Sequence, residues 1–156
     1  MVDKAITGIK LPSPGQIGIV VNDLDKTMEY YSSILGIGPW RVVDFDVPAL
    51  KSRNQTYSWK ARVAFASLGS VELELIHILE GRSVHSEFLE KGREGLHHLG
   101  FFVSNEEMDI LIGQFSNKGI DILQGGMSGI NDGRYAYLDT EETGGVIFEL
   151  IYRPSS

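Results

Sequence analysis

Gln16-Ile17-Gly18-Ile19-Val20-Val21 and His98-Leu99-Gly100-Phe101-Phe102-Val103 share one shape: a polar residue opens an apolar run and Gly follows two places later. Two further pairs occur in the same order. Arg62-Val63-Ala64-Phe65 matches Arg134-Tyr135-Ala136-Tyr137, and Val71-Glu72-Leu73-Glu74-Leu75-Ile76 matches Val146-Ile147-Phe148-Glu149-Leu150-Ile151. One match is within chance. Three in fixed order constrain the chain to two equivalent halves that fold alike and pack on each other.

Local patterning gives each half its elements. Residues 1–15, with Pro12, Pro14 and Gly15, read as an arm. Gln16–Val21 reads as a strand. Leu24, Met28, Tyr31 and Leu35 then fall at helical spacing behind a cap at Asn22-Asp23, and Gly36 and Gly38 stop the helix. Trp40–Phe45, Ala61–Leu68 and Val71–Ile78 read as strands, with Asp46–Lys60 as a long polar connection and Gly69-Ser70 as a turn. A short helix is expected near Ser83–Glu90. The pattern then restarts with a strand at His98–Val103 and a helix from the Ser104-Asn105 cap to Lys118. Strands follow at Ile120–Leu123, Arg134–Asp139 and Val146–Tyr152, the first two separated by a Gly-rich loop from Gly125 to Gly133. The expectation is α+β: one domain over 1–156, with module one at about 16–78, a linker at 79–95 and module two at about 96–152, each βαβββ.

Composition matters here for what it removes. There is no Cys, so any metal site must draw on His, Asp, Glu, Gln or Asn. The formal charge of −7 argues against non-specific nucleic-acid binding. No apolar run approaches the ~20 residues that span a bilayer, so no membrane partner is expected. Met1-Val2-Asp3-Lys4 lacks a basic stretch leading into an apolar one, and a cytoplasmic location is the expectation.

Superposing the halves picks out four residues. Gln16 and His98 open the first strand of each half, and Glu74 and Glu149 occupy the same place in the last strand of each. Glu74 lies between Leu73 and Leu75, and Glu149 between Phe148 and Leu150, so alternation turns both carboxylates away from an apolar layer. Taken singly, each is ordinary: a strand Glu usually faces solvent, and a lone His is usually a hydrogen-bonded surface or core residue. Their equivalent placement makes them a candidate set for one divalent ion, Zn²⁺, Co²⁺, Ni²⁺ or Mn²⁺. Alternation also sends His97 to the face opposite His98, where Leu99 and Phe101 suggest core. His77 and His85 have no counterpart in the other half and read as structural, as Tyr30, Tyr31 and Trp40 read as packing. From Val47 to Val71 there is no acid, while Lys51, Arg53, Lys60 and Arg62 fall there. Clustered cations in a polar loop suit a phosphate-bearing substrate, with Lys51, Arg53 and Arg62 as the candidate contacts; an ordinary solvated loop has the same composition.

These motifs resemble the vicinal oxygen chelate (glyoxalase/bleomycin resistance/dioxygenase) superfamily from Gln16 to Ile151. The resemblance lies in Gln16-Ile17-Gly18-Ile19-Val20 with Asp23-Leu24-Asp25 and Tyr30-Tyr31. It continues in Gly95-Leu96-His97-His98-Leu99-Gly100 and in Thr143-Gly144-Gly145-Val146-Ile147-Phe148-Glu149-Leu150. The last two are most like methylmalonyl-CoA epimerases. The resemblance implies paired βαβββ modules forming a curled sheet around a metal cleft, with ligands Gln16, Glu74, His98 and Glu149, and a homodimer. It implies a metal-dependent epimerase of methylmalonyl-CoA or a similar acyl-CoA, a small-molecule thioester, acting through an enediolate. Glu149 would be one base and Glu74 the candidate on the opposite side. The two alternatives are a lactoylglutathione lyase and, from another class, a metal-free binding protein like the bleomycin-sequestering members. Two departures stand out. Gln16 replaces the His usual in bacterial members, giving a ligand set similar to zinc-dependent glyoxalase I, and Ala61-Arg62-Val63-Ala64-Phe65 lacks the third-strand acid of some epimerases.

Overall fold

The structure, a computed structural model, describes residues 8–129 and 131–155. Residues 1–7 of the expected arm and Ile130 of the expected Gly-rich loop lie outside the described residues. The described residues form β1 (Gln16–Val20), α1 (Leu24–Ser33), β2 (Arg41–Ser52), β3 (Gln55–Leu68), β4 (Val71–Gly81), α2 (Val84–Glu90), β5 (Gly95–Phe102), α3 (Asn105–Asn117), β6 (Ile122–Met127), β7 (Arg134–Leu138) and β8 (Ile147–Tyr152). The helices start where side chains satisfy the first free amides. Asp23 accepts from Lys26 N, and Ser83 and Ser104 each close a capping box. Among the described residues no helix is long and apolar enough to cross a membrane.

The strands close into a barrel in the order β1-β4-β3-β2-β6-β7-β8-β5. The two halves trace the same path. β1 runs parallel to β4 as β5 does to β8, and the remaining pairs in each half are antiparallel. The halves join along β1 and β5, antiparallel, and the barrel closes through the Ser52–Gln124 pair of β2 and β6. Outside the barrel, α1 covers Leu73, Leu75 and Ala64 with Leu24 and Met28, while α3 covers Phe101, Leu138 and Leu150 with Met108, Leu111 and Phe115. Because Leu73, Leu75 and Leu150 pack under the helices, Glu74 and Glu149 point inward.

The repeated glycines sit where the two halves touch. Gly18 pairs with His98 and Gly100 with Gln16 across the β1–β5 seam. A Cβ at Gly18 would overlap the His98 ring, and one at Gly100 would come within 2.9 Å of Gln16 Cβ. Each half thus leaves room for the polar residue that opens the other. Gly18→Ala is expected to push the His98 ring from its place and cost about 1–3 kcal/mol or more by overpacking. Thermal denaturation and the His98 ring resonances would register both; unchanged values would mean the seam yields easily.

Three expectations need correction. Asp46–Lys60 is not a connection but the far half of a long β2–β3 hairpin, paired from Arg41↔Phe65 out to Ser52↔Gln55. Its turn is Arg53-Asn54, both left-handed with φ of 48° and 63°, as a two-residue hairpin turn requires. Pro48, which reads as a strand breaker, lies in a register shift between Val47 and Leu50, where a missing N–H does no harm to the ladder. The second correction is at His97. The β1–β5 ladder steps from Gly18↔His98 to Ile19↔Leu96, so His97 is an extra, bulged residue. The bulge breaks alternation: His97 and His98 are both buried, 2% and 0% exposed, with their Nδ1 atoms 3.0 Å apart. In the second half, β6 continues through Gly125 and Gly126 to Met127, so the Gly-rich loop is shorter than expected.

Candidate functional site

Inside the barrel is a cavity of about 350 Å³. Phe45, Trp59, Val63, Phe65 and Ile76 form its apolar side, and Gln16, Glu74, His85, Tyr137 and Glu149 its polar side. Of the four residues singled out by the repeat, Gln16, Glu74 and Glu149 line it, and His98 is buried behind them, all from one chain. His98 Nε2 stands 3.2 Å from Gln16 Oε1, 3.2 Å from Glu74 Oε2 and 3.2 Å from Glu149 Oε2. Ligands about 2.0–2.2 Å from one ion lie roughly 3–3.5 Å from each other, so this spacing suits a shared cation.

The electrostatics point the same way. Among the described residues, Glu74 Oε2 and Glu149 Oε2 are buried oxygens without a hydrogen-bond partner. Two buried carboxylate oxygens turned to one point are costly unless a positive charge lies between them. Burial pushes the Glu149 carboxyl well up from the usual carboxylate range; His98 pulls it back and the Glu74 charge adds to the rise. Burial lowers the His98 imidazole, but the Glu149 and Glu74 charges outweigh it and hold the group above its ordinary value. The donor set therefore fits a divalent ion of the borderline class, two carboxylates matching its charge and a neutral nitrogen and amide oxygen completing the set.

Neighbouring groups hold the donors in place. Gln16 Nε2 donates to Glu72 Oε1 at 2.8 Å, and the Arg153 guanidinium grips Glu72 at 2.7 and 3.1 Å. That pairing orients the amide, leaving Gln16 Oε1 toward His98. The Tyr137 hydroxyl lies 3.0 Å from His85 Nε2; burial and the Glu149 and Glu74 charges raise it well above the ordinary phenol range, so it keeps its proton. The ring nitrogens of His85, His97 and His98 also lie within 4.8 Å of one another. The facing Nδ1 atoms of His97 and His98 are hydrogen-bonded, so the three do not offer three free lone pairs to one point. His77, by contrast, lies 3.4 Å from the Val21 carbonyl.

The expected substrate contacts are elsewhere. Lys51 and Arg53 line a separate cavity of about 500 Å³ at the hairpin tip, and Arg53 is paired with both Glu87 oxygens at 3.0 Å. Arg62 is on the outer face, forked onto Asp44 at 2.6 and 3.0 Å. The cations lining the central cavity are Arg41 and Arg153. Arg153 was detectable in the sequence, since positions 149, 151 and 153 share a strand face; Arg41, at the start of β2, carries no such signal.

The sequence profile of the glyoxalase/bleomycin resistance protein/dioxygenase superfamily matches residues 15–137. The chain belongs to this superfamily. Among curated relatives of this superfamily member, an uncharacterized Bacillus subtilis protein, YqjC, is 32% identical over 136 residues, covering 86% of this chain and 87% of that one. Human mitochondrial methylmalonyl-CoA epimerase is 27% identical over 136 residues, covering 86% and 70%. Among solved structures, methylmalonyl-CoA epimerase from Mycobacterium tuberculosis matches with a TM-score of 0.67 at 22% identity, covering 98% and 95%. That likeness shows the mixed α+β fold with its curled eight-stranded sheet.

Proposed function

We propose that this protein is a metal-dependent epimerase of methylmalonyl-CoA or a similar 2-substituted acyl-CoA. The observation that carries the reading is the convergence of three oxygens, from Gln16, Glu74 and Glu149, on His98 Nε2 at 3.2 Å beside an apolar cavity. Relatives support it, including an epimerase solved in complex with methylmalonyl-CoA and NH4⁺, which matches at a TM-score of 0.67 and 23% identity. Gln16, Glu74, His98 and Glu149 would hold the ion. Bound there, it supplies a Lewis acid for the carbonyl oxygen on which charge grows as the α-proton leaves.

The chain's own residues do the rest. Glu149 takes the proton from the α-carbon, and the C–H electron pair moves onto the carbonyl oxygen. Tyr137, lining the same cavity, keeps its hydroxyl proton. Phe45, Trp59 and Phe65 keep water from the exposed carbanion face. Glu74, on the other side and loaded with a proton from solvent, gives it to the opposite face, which inverts the carbon, and Glu149 releases the proton it took to solvent. Arg41 and Arg153 attract the anionic substrate. A homodimer belongs to the same reading, and sedimentation would test it.

The Gln, Glu, His, Glu set favours a second reading, lactoylglutathione lyase. A panel in deuterium oxide separates them. Methylmalonyl-CoA should gain deuterium at the α-carbon with the zinc-loaded protein. Conversion of the methylglyoxal–glutathione adduct instead would support the lyase. No turnover of either, with no bound metal, would leave a binding protein of this fold.

A further inference from the structure

His97 sits on the bulge, inside the barrel wall, with its ring walled by Phe88 at 5.2 Å and His85 at 4.8 Å between centroids. Both its nitrogens are engaged. Nε2 lies 3.3 Å from the Val84 carbonyl oxygen, and Nδ1 lies 3.0 Å from His98 Nδ1. A carbonyl oxygen can only accept, so the His97 proton belongs on Nε2. A neutral ring with its proton on Nε2 toward the Val84 carbonyl presents a bare lone pair at Nδ1. One of the two facing Nδ1 atoms must donate, and that leaves His98 Nδ1–H. The imidazole of His98 then has only Nε2 to offer toward Gln16, Glu74 and Glu149.

We propose that His97 is a positioning residue, whose link from the Val84 carbonyl to His98 Nδ1–H fixes the His98 tautomer and aims Nε2 at the ion site. The inference rests on the reading of His98 as a ligand. Metal-bound histidines commonly donate their other N–H to a carboxylate, carbonyl or water. Here a second imidazole takes that place and is itself anchored on α2 through Val84. Because Val84 follows the capping Ser83 and its N–H donates to Gln124 Oε1 at 2.9 Å, the anchor is rigid.

Nitrogen-15 spectra of the histidine-labelled protein, metal-free and zinc-loaded, read the tautomers directly. The expected result is His97 protonated on Nε2 only and His98 keeping Nδ1–H in both forms. Zinc calorimetry then compares wild type with His97→Phe, which has no acceptor, and His97→Asn, whose side-chain oxygen can replace Nδ1. His97→Phe should bind zinc about 10–100-fold more weakly, the range for losing such a partner, and His97→Asn should recover most of that loss. Equal affinity in His97→Phe and wild type, or equal weakness of both folded variants, would overturn the proposal. So would a His97 protonated on Nδ1 in the wild type, a measurement that stands even if a variant fails to fold. Zinc binding untouched by His98→Ala would show instead that the ligand reading has failed, and the proposal would fall with it.

Discussion

Glu149→Gln should retain bound metal yet lose α-proton exchange by about 10²–10⁴-fold, the usual contribution of a general base. A carboxylate that is both ligand and base faces opposite demands. As ligand it is ionised and held on the cation; as base it needs an oxygen free to meet the substrate carbon. Glu149 has the setting for both. It is 5% exposed, one oxygen lies 3.2 Å from His98 Nε2, and burial raises the carboxyl well above the usual carboxylate range. The neutral amide of Gln16 would be a weak ligand and would leave the remaining sphere easier to rearrange. In the Gln variant the amide oxygen can still face the ion, but nothing remains to take the proton. Glu74→Gln should be milder if Glu74 is chiefly a ligand, and comparably severe if a base works on each face. Deuterium incorporation and metal content, measured on both variants, decide. Full exchange by metal-loaded Glu149→Gln would end the proposal that this residue carries the proton.

His98→Ala should empty the site. His98 Nε2 lies 3.2 Å from all three partner oxygens, and its removal leaves two carboxylates and an amide without this nitrogen donor. Metal analysis after dialysis should fall from about one ion per chain toward none. Zinc affinity should drop by more than the ~100-fold upper range for losing an outer partner. His85→Ala is the control. His85 bonds to Tyr137, and among the described residues its buried Nδ1 has no partner and no hydrogen bond or ion pair joins it to the proposed donor oxygens. Comparable metal loss in both variants would move the centre from the Gln16–Glu74–His98–Glu149 set to the histidine cluster.

Both experiments rest on features unequally visible in the sequence. The positions of Glu74 and Glu149 follow from alternation, because Leu73, Leu75 and Leu150 must pack under helices and the residue between them then faces inward. The equivalence of Gln16 and His98 follows from the repeat. Gly18 and Gly100 are part of the same motif, but their purpose, clearing space for the other half's ligand candidate, shows only when β1 and β5 are paired. The pairing of the cations is hidden from the sequence for a related reason. Local composition located a basic stretch, but Arg62 and Arg53 turned to Asp44 and Glu87, partners 18 and 34 residues away in sequence.

By itself, then, the sequence determined the two βαβββ halves, their helix caps and the inward face of each last strand. All of these depend on neighbours two to four residues apart, and side-chain periodicity is set by the backbone alone. Tertiary structure decided the closed barrel, the length of the β2–β3 hairpin, the facing of His97 and the Arg153–Glu72–Gln16 chain. Each depends on register between distant segments. A single extra residue opposite Gly18 and Ile19 reverses which way His97 points, and nothing within β5 announces it, because a bulge is a property of a pair of strands rather than of either one.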